Sequence, residues 1–237
     1  MKKALIGALL VLLAIPLLAA MAELPPHASP ASPPYTHVSP RYLERGAEEA
    51  GAENIVTDVI LNYRGFDTNG EVTVIFTSLA AVAAILLLRD EDRQRTADVV
   101  DAPVSPVVLF IVRLIAPFIA MFGIYIILFG HISPGGGFQG GTILGALVIA
   151  STIVLGSAQA HRMLPERPRP WLQAAAPLTF VAVGLAGLVI TGFYLGFPSG
   201  EEMGWIGTLM LVLIEIGIGV GGGSILASIF WMMEEER

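Results

Sequence analysis

Cysteine is absent from the 237-residue chain. That removes disulfides, thiolate-held iron–sulfur clusters and cysteine nucleophiles together. Any redox chemistry associated with the chain would have to sit on a partner. Charge is scarce as well: Asp, Glu, Lys and Arg fill 14% of positions and sum to −7 with histidine neutral. With no basic patch interleaved with aromatics, nucleic acid is excluded as a partner. His27, His37, His131 and His161 are scattered without the spacing of a ligand cluster, so no metal site is expected.

What the chain has in plenty is apolar sequence. Hydrophobic residues occupy 54% of positions, and the mean hydropathy is +0.73. A helix crosses the hydrocarbon core in about 20 residues, and six stretches have that character: 4–22, 72–88, 107–130, 137–157, 174–196 and 204–231. The predicted fold is all-α, a polytopic protein of about six transmembrane helices in the lipid bilayer of the cell membrane. Lys2, Lys3 and the small residues near Ala19 and Ala22 also fit a signal peptide. Residues 1–22 are read as a first transmembrane helix or uncleaved signal anchor.

Positive charge sets the expected orientation. With the N-terminus inside, Lys2, Lys3, Arg89, Arg93, Arg95, Arg162, Arg167, Arg169 and Arg237 are cytoplasmic, against Arg41, Arg45 and Arg64 outside. Both termini are therefore expected inside. Arg113, about two turns into the third span, lies within snorkelling range of the inner interface.

Composition divides the chain further. Residues 23–40, dense in Pro and Ser, read as an extended outer linker, ending in Ser39-Pro40 as N-cap and first helical position. Residues 41–88 hold an amphipathic helix and the second span. In that amphipathic helix Ile55, Val56, Val59, Ile60 and Tyr63 share a face, expected to lie along the outer interface or against a neighbouring helix. Residues 89–106 form a charged cytoplasmic linker, and 107–237 a four-helix domain. The pairs Gly141/Gly145, Gly192/Gly196, Gly217/Gly221 and Gly219/Gly223 have the small-xxx-small spacing of close helix packing.

Three motifs stand out. In "HISPGGGFQGGT" (131–142), Gly135, Gly137 and Gly140 match the spacing of a dinucleotide fingerprint. A membrane span precedes them instead of a strand, and no βαβ pattern follows, so the nucleotide reading is rejected. Pro134, Gly135, Gly136, Gly137, Gly140 and Gly141 instead suit a sharp turn between two spans, glycine reaching positive φ without cost. That turn is either a plain helix hairpin or one whose polar groups, His131, Ser133, Gln139 and Thr142, serve water or an ion. In "NYRGFDTNGE" (62–71), Arg64, Asp67 and Glu71 can pair with one another or a partner, and Asp67-Thr68 can cap the coming helix. Third, Glu215 is an acid near the middle of the last span. A carboxylate there must be protonated, paired or hydrated, so Glu215 is either a helix tie or part of an ion path.

"HISPGGGFQGGTILGALVIA", followed by a two-span hairpin with an intramembrane acid, closely resembles the MnhB family of Mrp-type Na+/H+ antiporter subunits and its counterpart in membrane-bound hydrogenases. "ENIVTDVILNYRGFDTNGEVTVIF" resembles the small subunit preceding that counterpart in those hydrogenases, and the C-terminal element of the large Mrp subunit. Asn69 departs from the apolar residue usual there. The resemblance implies a fusion of two neighbouring subunits. It further implies a membrane-arm, non-enzymatic subunit of a multi-subunit cation/proton antiporter, with Na+ as transported ion and no cofactor on this chain. Its partners would be other antiporter or hydrogenase-type subunits. The same module inside a hydrogenase-like redox complex, or a purely structural adaptor, are the alternatives. The ion-path candidates are then Glu215, His131, Gln139 and Thr142, and the outer-loop contacts Arg64, Asp67, Thr68 and Glu71.

Overall fold

The computed structural model describes residues 2–89, 104–200 and 202–234; most of the predicted linker 89–106 lies outside the described residues. All elements among the described residues are helical, and six are long and apolar enough to cross a membrane. The chain forms two compact units, Met1–Glu44 and Arg45–Arg237.

In the first unit, α1 (Lys2–Ala22) is apolar on all sides and exposed along its length. The Pro/Ser-rich stretch is not extended throughout. Pro34–Val38 forms a π-helical turn, with Pro33 and Pro34 at its start, where no N–H donor is required. Ser39 has helical φ −64° and ψ −43° and so continues that turn into α2 (Ser39–Ala50) instead of capping it.

The second unit is organised around its last helix, α9 (Gly204–Glu234), the most enclosed of the six. Against it pack α6 (Gly137–Leu155), α8 (Arg169–Thr191) and α4 (Gly65–Arg89), while α5 (Pro106–Leu128) packs mainly on α6. Between membrane helices the hydrophobic effect adds little, so association depends on close van der Waals fit. The glycine pairs supply it. A Cβ on Gly141 would lie 2.7 Å from the Gly219 carbonyl oxygen, and one on Gly223 2.8 Å from that of Gly141. One residue pair round the helix, Gly217 and Gly221 meet Thr179 and Ala176 of α8. The two glycine stripes of α9 therefore face different neighbours. Phe180, Leu211, Ile214 and Ile218 fill the core between them.

Three boundaries differ from the sequence reading. The second span begins at Gly65, seven residues early, because the 65–71 loop is its first two turns. α8 ends at Thr191, where Gly192 takes a left-handed conformation (φ 84°), so Gly192/Gly196 is a chain reversal and not a packing pair. A short helix, α7 (Ser157–Met163), follows a second left-handed glycine, Gly156.

Candidate functional site

α5 ends in a turn in which the Ile132 and Ser133 N–H groups return to the Phe129 carbonyl at 3.0 and 2.8 Å. Gly135 (φ 135°) and Gly136 (φ 149°) then reverse the chain in a region closed to side chains. α6 starts at Gly137, and its first amide has no partner within its own helix. That amide donates to Oε2 of Glu215, setting a carboxylate on the positive end of a helix dipole.

The carboxylate fits because the surrounding residues lack side chains. A Cβ on Gly136 would stand 2.8 Å from Oε2, and one on Gly130 3.1 Å from Oε1. One on Gly137 would strike the Glu215 carbonyl oxygen. Glu215 is 2% exposed, and its Oε1 has no hydrogen-bond partner. A buried carboxylate oxygen without a donor is costly when the group is charged.

A third segment closes the site. Before α3 (Ile55–Thr57), the Asn54 side chain accepts from the Val56 N–H at 3.1 Å, an N-cap. Its amide donates to the carbonyls of Gly130 (2.8 Å) and Ser133 (2.9 Å). The Glu53 and Asn54 N–H groups both reach the His131 carbonyl, at 2.9 and 3.1 Å. Thr57, fully buried, donates to Gly130 O at 2.7 Å, and Gly130 is also the glycine that faces Glu215 Oε1. Asp58 opens the π-helical turn Asp58–Tyr63; it is 1% exposed and accepts from the Ala52 N–H at 3.1 Å. Burial pushes its carboxyl up to about 6, against the opposing pull of that N–H.

Segment 55–63 corrects the sequence reading. It is one α turn and a π turn, not a continuous amphipathic α-helix. The buried side is its polar one, Thr57 and Asp58 with Leu61, while Val56 of the expected apolar face is 51% exposed. In a chain whose outer surfaces are apolar, the polar groups are the ones that require protein partners. Asn54, Thr57 and Asp58, spaced i, i+3, i+4, were readable as a polar helical stripe in an apolar chain, and that signal was missed.

The predicted residues divide. Glu215, the Gly135–Gly137 turn and the His131 backbone come together, and Nδ1 of His131 is buried without a partner. Gln139 and Thr142 do not join them. Both are exposed on α6 opposite the Gly137/Gly140/Gly141 stripe, and the Thr142 hydroxyl donates to Phe138 O at 2.8 Å. Pro134 is exposed in the turn. Arg64 and Asp67 pair at 2.7 Å on the surface, and Glu71 is exposed nearby. Thr68 is no N-cap: it lies inside α4, buried, donating to Ile60 O at 2.6 Å. The bond to Gly137 sets Glu215 level with the start of α6.

Comparison with known proteins matches this architecture. The family model described as a domain related to the MnhB subunit of Na+/H+ antiporter covers residues 107–226, and the MbhE model, for the E-type subunit of MBH, covers 9–104. An uncharacterized protein of Methanocaldococcus jannaschii is 28% identical over 197 residues, 72% of this chain and 73% of its own. A probable K+/H+ antiporter protein of Rhizobium meliloti, of the combined A/B type, is 28% identical over 180 residues; they make up 66% of this chain but only 17% of that protein. A chain of the membrane-bound sulfane sulfur reductase, an archaeal respiratory membrane complex, is 33% identical, with 98% of both chains covered and a TM-score of 0.64. A chain of the Mrp complex from Dietzia sp. DQ12-45-1b shares the fold (TM-score 0.65, 22% identity), covering 98% of this chain and 26% of that one.

Fold and site thus define a multi-pass, all-helical membrane subunit of the antiporter-related type. The chain belongs to the MnhB family, preceded by a stretch matching MbhE.

Proposed function

We propose that the chain is a membrane-arm subunit of a multi-subunit monovalent cation/proton antiporter module, with both termini cytoplasmic, and that Glu215 lines its ion route. The observation carrying this is the enclosed carboxylate with one oxygen bound to the Gly137 amide and the other without a donor. A group serving only to tie helices would use both oxygens, because leaving one bare in a dry interior costs about 1–3 kcal/mol. No cofactor is assigned to the chain, and its partners are the other antiporter or hydrogenase-type subunits. The family description names Na+ and one relative K+, so both cations belong in the assay.

Glu215→Gln preserves shape and one hydrogen bond but cannot ionise. The complex should assemble, with Na+- or K+-linked proton exchange reduced at least tenfold, roughly the loss of one ionisable group from a proton path. Normal exchange from about pH 6 to about pH 9 in that variant would leave Glu215 a helix tie and the chain an adaptor. Labelling of cysteines placed at Ser199 from outside and at Pro168 from inside checks the orientation; labelling of both from one side would overturn it.

A second reading rests on the 33% identical chain in a respiratory complex: the same module driven by electron transfer. Copurification distinguishes the two, since cysteine-rich redox subunits accompany the chain only in the second.

A further inference from the structure

We propose that Thr57 is a positioning residue for Glu215, its hydroxyl hydrogen turning from the Gly130 carbonyl to the bare Oε1 when the carboxyl group loses its proton. The proposal rests on Glu215 being an ionising group of the ion route.

Three observations support it. Thr57 is fully buried and donates to Gly130 O at 2.7 Å, and a Cβ on that same Gly130 would stand 3.1 Å from Oε1, so hydroxyl and carboxylate flank one glycine. Oε1 has no donor, while Oε2 is held by the Gly137 amide. Gly130 O keeps a second donor, the Asn54 amide at 2.8 Å, so it remains satisfied when the hydroxyl turns away. β-Branching restricts the Thr57 side chain to few rotamers, so the change needs only rotation of the O–H. No covalent bond of Thr57 breaks, one hydrogen bond is exchanged for another, and the carboxyl proton leaves along the proposed ion route.

The physical effect follows from asymmetry. A neutral carboxyl group gains little from a second donor, whereas an ionised one gains a charge-assisted hydrogen bond. Other titratable groups on the elements packed around Glu215 are His131 of the turn, Glu53 and Asp58 of the upstream segment, and Asp67 and Glu71 at the exposed start of α4. At this level α5 adds Tyr125, Tyr63 and Arg64 close the upstream segment, and α6 and α8 bring none. Thr57 is the only one of the upstream groups hydrogen-bonded to the glycine turn through its side-chain hydroxyl. It stands in the stretch matched by MbhE, and Glu215 in the stretch matched by MnhB. The ionising site is thus shared between the two halves of the chain.

The test compares Thr57→Val, which keeps shape but loses the hydroxyl, with Thr57→Ser, which keeps the hydroxyl, in the assembled complex. The readout is the infrared carbonyl band of protonated Glu215, assigned by its disappearance in Glu215→Gln and followed against pH. With valine the band should persist to higher pH by about one to two units, a tenfold to hundredfold rise in proton affinity, the worth of one hydrogen bond to a charged group. With serine it should stay within about half a unit of wild type. An unshifted valine variant, or equal shifts in both, would overturn the proposal. If valine prevents assembly, Thr57→Cys, a weak donor, takes its place with a smaller shift expected, and no shift there overturns it too. The two readings fail separately. Normal transport by Glu215→Gln with a shifted band removes the transport role alone, and lost transport with an unshifted band removes the Thr57 switch alone.

Discussion

The two polar anchors of α9 are built on opposite principles. Toward its C-terminal end, the Trp231 indole N–H donates to Thr152 Oγ1 at 2.8 Å. Its ring lies between the His161 ring, 4.3 Å away, and the Arg169 guanidinium, 4.5 Å above the ring. Gln173 bonds Ser228 at 2.7 Å beside it. The one polar atom of the indole is thus bonded. Glu215 is as deeply buried, yet one of its carboxylate oxygens is bare. Buried hydroxyls of Ser151 and Ser224 also lack partners, but a neutral hydroxyl costs far less there than a charge does. The contrast separates an indole whose one polar atom is bonded from a carboxylate with one oxygen bare.

The largest expected effect tests the first anchor. Trp231→Ala should lower stability by about 3–5 kcal/mol, the usual cost of emptying a buried tryptophan site. Exchange per assembled complex should stay unchanged; a matching fall in specific exchange would erase the contrast. Next comes the glycine cradle. Gly137→Ala places a methyl group against the Glu215 carbonyl and 2.7 Å from Ile218 Cβ, which should cost about 3 kcal/mol by overpacking and lower both assembly and exchange per complex. Gly222→Ala meets nothing within 4 Å and serves as the control, its thermal midpoint unchanged. Equal midpoints for the two variants would show the cradle to be slack.

The smallest effect concerns Asp58, the other buried carboxyl group. Its folded value of about 6 stands above the ordinary 3.8 because burial disfavours the charged form. The folded state therefore binds the proton more tightly than the unfolded one. The stabilisation is fully present below about pH 4 and is lost as pH rises through about 6, on the order of 3 kcal/mol in all. Asp58→Asn removes that dependence. The thermal midpoint of the variant minus that of wild type should rise between about pH 4 and pH 7. A difference that stays flat would mean Asp58 is hydrated rather than enclosed.

Much of the molecule was legible because the signals are local. Six apolar runs mark six helices, since every backbone polar group in lipid needs a partner within its own helix. Gly141/Gly145 and Gly219/Gly223 announced close helix approach through spacing alone, and three glycines after Pro134 announced a reversal. Gln139 and Thr142 lie beside the same turn in sequence but point out, because a helix rotates about 100° per residue and α9 faces only the glycine stripe. Nothing local to 55–63 indicated that its polar side faces inward. That depended on the turn at 130–137 offering carbonyls to Asn54 and Thr57.

The sequence by itself determined that this is an all-helical membrane protein of the MnhB type, with its spans, its glycine contacts and an acid that must be accounted for. These follow from composition and helical period, which act over a few turns of chain. Only the tertiary structure decided which groups meet that acid and at what depth. Gly137 and Thr57 lie 78 and 158 positions from Glu215 in sequence, and a hydrogen bond is satisfied by proximity in space, whatever the separation along the chain.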